Sequence, residues 1–393
     1  MSRKSFQTQP VGSDAEYQEQ ILPHVSRTFA LTIPQLPVGL RGAVTNAYLL
    51  CRIADTVEDE PAVSAAETYA YLQRFAAVVD GTEPAAPLAR EIHARLSEQT
   101  LPAERDLVQH MERVIRVTAQ LEPRQRAAIR RCIELMCRGM HQFQRTASLR
   151  GLDRASDLDS YCYYVAGVVG EMLTELFCGY SSEAARHRAL LRELAPSFAQ
   201  GLQMTNILKD VWEDRSRGAC WLPREVFARH GFELERLTPE RYDARFGAGL
   251  EELIGVAHGH LRNALSFTLL IPAAETGIRR FCLWAIGLAV LTLREIHHNP
   301  RFVTGSQVKV SHAAVAAVRL LTSVAVRRDA VLQLLFDWAA SGLPLAAPAD
   351  VRRGSGAAAA AAQLPAPATE YAGELFRASM SRPRRTSDGS SVP

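Results

Sequence analysis

This chain of 393 residues has no glycine-rich GxGxxG turn after a strand, no Walker loop, no HExxH and no GxSxG. Those absences remove the short signatures of dinucleotide folds, P-loop NTPases, zinc proteases and serine hydrolases. An excess of one charge is also missing. Lys and Arg number 45 against 42 Asp and Glu, a formal +3, so electrostatics gives no case for a nucleic-acid partner. The cysteines (Cys51, Cys132, Cys137, Cys162, Cys178, Cys220, Cys282) are seven, an odd count, and make no CxxC pair. With no secretory leader in the opening MSRKSFQTQP, they read as free thiols in a reducing cytoplasm. No run reaches the roughly 18–20 uncharged apolar residues of a membrane span. The longest candidate, Phe281–Leu293, stops at Arg294 and Glu295 and reads as a buried core helix.

Alternating β-branched runs bounded by hairpin dipeptides are scarce as well, which argues against a sheet. What remains is 47% hydrophobic and 22% charged, as in a packed globule, with long helix-periodic segments rich in Leu, Ala, Arg and Glu. The expected fold is all-α: one helical bundle over residues 21–345, after a loose polar segment 1–20. Helix breaks are expected at TIPQLPVG, DGTEPAAP, LEPRQR, SLRGLDRASD, LAPSFAQG, LPREVF and HHNPRFVTGS. Residues 346–393 turn Ala-, Pro- and Ser-rich and read as a flexible tail with an Arg382–Arg385 cluster.

Two acidic clusters stand out from this background. Tyr48, Arg52, Asp55 and Asp59 follow i, i+4, i+7, i+11, one face of a helix whose neighbours Leu49, Leu50 and Ile53 are apolar. Gln203, Asn206, Asp210 and Asp214 repeat the pattern beside Ile207, Leu208 and Val211, and are expected on one second helix. A carboxylate stripe on a helix otherwise suited to burial is costly unless a cation meets it. Hard oxygen ligands favour Mg2+ completed by substrate phosphates, so two opposed stripes would clamp a metal–diphosphate. Ionisation of an allylic diphosphate, with apolar and aromatic walls around the carbocation, is the chemistry that uses such a clamp. Ordinary surface acids paired at i±4 are the alternative for one cluster; the pair with its Tyr, Arg and amide partners favours the clamp. Glu58 and Glu213 read as supporting or solvent-facing acids, and His297 and His298 as a helix C-terminal cap. Gly167 and Gly170 make a GxxG spacing that lets helices pack closely.

Four blocks resemble the squalene/phytoene synthase family of head-to-head isoprenyl diphosphate synthases: VSRTFALTI (25–33), AYLLCRIADTVEDE (47–60), YCYYVAGVVGEMLTELF (161–177) and LQMTNILKDVWEDRSRGACWLP (202–223). The resemblance covers about residues 20–340 and implies an all-α isoprenoid-synthase bundle around a deep central cavity. It implies that Asp55, Asp59, Asp210 and Asp214 hold Mg2+ and two substrate diphosphates, with Gln203 and Asn206 lining that site. Ser26, Arg27, Thr28 and Phe29 match the segment gripping one diphosphate and capping the cavity. Tyr48 and Arg52 would touch diphosphate. Tyr161 matches a tyrosine that assists proton removal or steadies a cation, and Val165, Val169 and Gly170 match the prenyl-tunnel wall.

The family's outcomes differ in the last step. Squalene formation passes through presqualene diphosphate and ends with hydride from NADPH; phytoene and dehydrosqualene formation ends with proton loss. The stretch from Arg279 to Val318 resembles eukaryote-type squalene synthases, where Lys309 matches a residue implicated in binding NADPH phosphate and Phe281 one near the second reaction pocket. Lys209, which the resemblance also implies at the cofactor, stands where that pattern has Arg, keeping charge but losing the planar fork, and Ser311 stands where a second base is expected. The expectation is a monomeric squalene synthase acting on two farnesyl diphosphates, cytoplasmic or peripheral on a membrane, with no transmembrane helix. The alternatives are a synthase without the reductive step and a non-catalytic scaffold. The DDxxD of head-to-tail prenyltransferases and terpene cyclases is absent.

Overall fold

The computed structural model describes residues 12–26, 28–144 and 148–346. Arg27, and the tail from residue 347 with its Arg382–Arg385 cluster, lie outside the described residues. Helices and turns make up the fold, with one isolated bridge between Leu152 and Pro223 and no strand among the described residues.

Helix α1 (Asp14–Val25) opens with a Ser13–Glu16 capping box, which satisfies two otherwise orphaned amides. It starts inside the stretch expected to be loose. Two of its polar residues are interior hydrogen-bond partners, which composition conceals: buried Tyr17 donates to the Asp106 carboxylate at 2.9 Å, and buried Gln18 accepts from Asn46 at 3.2 Å. Helix α2 (Thr28–Thr32) and a 3-10 turn (Ile33–Gln35) lead into α3 (Val38–Glu58), and Pro34 and Pro37 stand where the chain turns. Around α3 pack α4 (Ala65–Asp80), α6 (Pro102–Gln109), α7 (Met111–Gln120) and α8 (Pro123–Gln144), with α5 (Ala85–Arg95) linking α4 to the α6–α7 pair.

A second group begins with α9 (Ala155–Cys162), continues through a π-helical turn (Tyr163–Gly167) into α10 (Val168–Tyr180), and passes by α11 (Ser182–Ala185) to α12 (Arg188–Lys209). Short helices α13 (Val211–Ser216) and α14 (Arg224–Arg229) precede α15 (Ala244–Leu270), α16 (Thr276–His298), α17 (His312–Ala325) and α18 (Asp329–Ala339). The expected break at LAPSFAQG does not occur, because Pro196 lies within α12. An interior proline costs about 3 kcal/mol. Here α12 is gripped by α10, α15 and α16, with Leu191, Ala195 and Phe198 buried, and this packing overrides the local preference.

By length and composition α16 could cross a membrane, yet 61% of its most apolar window is buried within the bundle. Buried Arg279 near its start donates to the carbonyls of Ile271, Leu269 and Val326 and to Asp329. It is a core helix here, as its sequence suggests. All seven cysteines are buried free thiols.

Where α10 meets α12, a Cβ at Gly170 would stand 2.1 Å from the Ala195 carbonyl oxygen. The GxxG spacing thus serves close helix packing, and Gly170 faces α12. Gly170→Ala should lose about 1–3 kcal/mol in urea denaturation from overpacking against backbone. Gly42→Ala, on exposed α3 surface with open space around it, should be neutral or gain about 0.5–1 kcal/mol. Equal effects at the two sites would contradict the close crossing.

Candidate active site

Along α3 every residue from Thr45 to Val57 is buried except Tyr48, Arg52 and Asp55, which are half-buried. The stripe read from spacing is therefore the accessible seam of a core helix. Tyr48 donates its hydroxyl to the Val25 carbonyl at 2.9 Å. The Arg52 guanidinium lies 3.4 Å from the Tyr48 hydroxyl, 3.6 Å from Glu104 and 4.0 Å from Asp55, while its buried Nε meets no acceptor among the described residues. Burial pushes the Asp55 carboxyl up to about 6 against the pull of Arg52, helped by Asp59 and Glu104. Glu58 is pushed well above its usual value by burial and by Asp59 and Asp55. Asp59, exposed, caps the helix C-terminus.

The second cluster departs from the single helix expected. Gln203 and Asn206 lie on α12, half-buried and exposed respectively; Asp210 caps its C-terminus at φ −98°, and Asp214 belongs to α13. The register survives this break because the Asp214 amide still donates to the Asp210 carbonyl at 2.9 Å. Lys209 holds both Asp210 oxygens at 2.7 Å. Beside it, a Cβ at Gly305 would lie 3.0 Å from Asp210 Oδ1, and the Gly305 amide donates to Glu213 at 2.9 Å. Trp212 donates to the Phe302 carbonyl at 2.7 Å. The loop between α16 and α17, which carries Lys309, is thus anchored on the second acidic segment, and Glu213 is one of its anchors.

One residue joins the clusters. Arg217 lies 3.1 Å from Asp59 and 2.7 Å from Asp214. Burial still pushes the Asp214 carboxyl up to about 6 despite that contact. Next to the acids lies Tyr161, buried and stacked on Trp221 at 4.2 Å between centroids, with Phe143 edge-on at 5.4 Å. Burial, with Glu58, Asp59 and Asp214, pushes the Tyr161 hydroxyl well above its usual value, so it is a neutral phenol.

Other expected residues fall as follows. Ser26 accepts from the Phe29 amide at 3.0 Å, capping the first turn of α2, which begins at Thr28. The Phe29 ring lies 5.1 Å from Tyr48 and 6.4 Å from Phe281. Val165 and Val169 are half-buried on the π-helical turn and α10. Phe281 is not presented to a cofactor: it is 1% exposed, packed against Phe29 and Phe177. Lys309 is exposed, and Ser311 caps α17 by accepting from the Ala314 amide at 3.2 Å. Sequence reading missed Arg217, although it lies three residues from Asp214, and missed Trp221 inside a quoted block. Glu104 carried no local signal.

Among the described residues no three of His, Cys, Asp and Glu converge as a ready-made metal cage. The donors are carboxylates at helix ends, held by Arg217, Lys209 and Arg52. Such a set fits a hard divalent ion that takes one or two carboxylates and completes its shell with water and phosphate.

A family model described as squalene/phytoene synthase matches residues 22–314. Squalene synthase ERG9 of Candida albicans is 28% identical over 301 residues, 73% of this chain and 62% of that protein. Squalene synthase of Nicotiana benthamiana is 31% identical over 284 residues, 71% of this chain and 64% of that one. The chain therefore spans less than two thirds of either relative. The solved complex of TcSQS with a ligand shares the fold at a TM-score of 0.66 and 23% identity, covering 83% of this chain and 97% of that one.

The raised Asp214 carboxyl gives a signed pH dependence. Its unfolded value is about 3.9, so its contribution to stability is present below that pH and lost as pH rises through about 6. Asp214→Asn does not titrate. Without divalent ions, its stability relative to the parent should rise between pH 4.5 and 7.5, on the order of 1–3 kcal/mol. A relative stability that falls over this range in urea denaturation would contradict the burial described.

Proposed function

The chain belongs to the squalene/phytoene synthase family of prenyltransferases, and from that premise we propose that it joins two farnesyl diphosphates head to head through presqualene diphosphate, with squalene as its product. The observation that carries the reading is Arg217 bridging Asp59 and Asp214, which brings the two acidic segments to one place beside the Tyr161–Trp221–Phe143 aromatics. The squalene synthases among its relatives support the choice of product.

In this reading Asp55, Asp59, Asp210 and Asp214, with Asn206, hold Mg2+, which when bound supplies charge stabilisation to the departing diphosphate. Arg52 offers its unpartnered Nε to a phosphate oxygen, and Lys209 and Arg217 shift from carboxylate to phosphate as substrate enters. Tyr161, Trp221 and Phe143 turn apolar π faces toward an allylic cation and exclude water from it. A neutral Tyr161 hydroxyl among carboxylates steadies that cation without being trapped by it as a phenolate would be. Half-buried Val165, Val169 and Phe29 are apolar surface for the prenyl chains, and Ser26 and Thr28 hold the α2 segment over one end.

Of the three residues expected at NADPH, Phe281 is in the packed interior and Lys209 is held by Asp210, leaving Lys309 exposed on the anchored loop. That does not make a dinucleotide site. The same observation favours a second reading, a synthase that stops at presqualene diphosphate or loses a proton to give dehydrosqualene or phytoene. Soluble or peripheral placement and a monomer complete the proposal.

Purified protein with farnesyl diphosphate and Mg2+, with and without NADPH, separates the readings by product analysis. Squalene only with NADPH is expected. Products indifferent to NADPH favour the second reading, and phytoene from geranylgeranyl diphosphate rejects the first. Asp55→Asn or Asp210→Asn should lower kcat at least about 10²-fold with the thermal midpoint retained.

A further inference from the structure

Helix α17, HAAVAAVRLLTSVA, lies at the surface with only Ala325 buried. Leu320 and Val324 on it are 65% and 71% exposed, and Leu334 and Trp338 on the adjoining α18 are 68% and 67% exposed. Behind them runs an apolar slot of about 170 Å³, bounded by Leu283, Ile286 and Val290 of α16, Val318 and Leu321 of α17, and Trp338. Single exposed apolar side chains are ordinary; several on two packed helices, beside an apolar slot, mark an interaction surface.

Around the patch, basic residues outnumber acids. Its two acids are already engaged: Asp329 accepts from Arg279 at 2.6 Å, and Asp337 from Arg262 at 2.8 Å. Arg327 and Arg328, in the turn between α17 and α18, pair with no acid among the described residues, and Arg319 lies 4.9 Å over the Trp284 ring.

We propose that this face docks on the headgroup–acyl boundary of an anionic phospholipid bilayer, with α17 lying flat in the surface. Apolar residues would enter the acyl boundary while Arg319, Arg327 and Arg328 meet lipid phosphates, and Trp338 takes the interfacial level that suits an amphipathic ring. Fourteen residues of helix reach about 21 Å, short of the roughly 30 Å hydrocarbon core, so α17 rests on the bilayer and does not cross it. A second copy across a two-fold axis would bring two sets of these arginines into one interface, which disfavours a dimer through this face. Docking through this face does not depend on which product the protein forms.

The test is co-sedimentation of the full chain with phosphatidylcholine vesicles, with and without phosphatidylglycerol. Binding should require phosphatidylglycerol and weaken with salt. The double variant Leu320→Glu/Leu334→Glu, at exposed positions, should keep its circular dichroism and thermal midpoint and bind about tenfold or more weakly. Arg327→Gln/Arg328→Gln should weaken binding about fivefold per arginine. Unchanged binding in both variants overturns the proposal. So does loss only in Arg382→Ala/Arg384→Ala/Arg385→Ala, which would assign the contact to the tail. Absence of vesicle binding together with a dimer that Leu334→Glu dissolves would assign the face to a second copy and also overturn it.

Discussion

Two long core helices, α3 and α12, end on aspartates, at the pole of the helix dipole that repels negative charge. Asp59 caps α3 one turn after Asp55, and Asp210 caps α12. Orphaned carbonyls there add partial negative charge, which makes this end of a helix an unfavourable place for a carboxylate. The fold supplies cations in answer: Arg52 to Asp55 and Glu104, Lys209 to Asp210, and Arg217 to Asp59 and Asp214 together. Burial raises Asp55 and Asp214 in spite of these partners. This protein maintains a concentrated negative site at a cost in stability, and a positively charged occupant would relieve it.

The surroundings follow from that constraint. Glu213 and Trp212 fasten the α16–α17 loop against the second acidic segment, and Gly305 permits the close approach. The neutral Tyr161 ring stacked on Trp221 puts an apolar, π-rich surface next to the charge. A strongly charged end beside an aromatic wall suits a substrate with a diphosphate head and a hydrocarbon body. Farther away, buried Arg279 ties the end of α15 to the start of α18 and leaves the outer faces of α17 and α18 turned outward.

Much of this was legible in the chain. Helical periodicity gave the all-α class, and the i, i+4, i+7 spacing of Tyr48, Arg52 and Asp55 matched the accessible seam of α3 because one face of a buried helix must be written into its residues. Pro196 misled because tertiary packing on α12 outweighs a local rule. The polar start of α1 misled because Tyr17 and Gln18 are interior hydrogen-bond partners. The kink at Asp210, the burial of Phe281 and the Gly170–Ala195 contact depend on how helices meet, which spacing along one helix does not encode. Arg217 was within reach of an i, i+3 reading from Asp214; Glu104, some fifty residues from Arg52, was not.

The proposed reaction requires the two acidic segments to act as one receptor for a metal–diphosphate. Differential scanning fluorimetry of the full chain with Mg2+, inorganic diphosphate, or both tests it without turnover. The predicted result is a rise in thermal midpoint that needs both components and vanishes in Asp55→Asn and in Asp210→Asn alike. A rise of undiminished size in either variant would contradict a shared site.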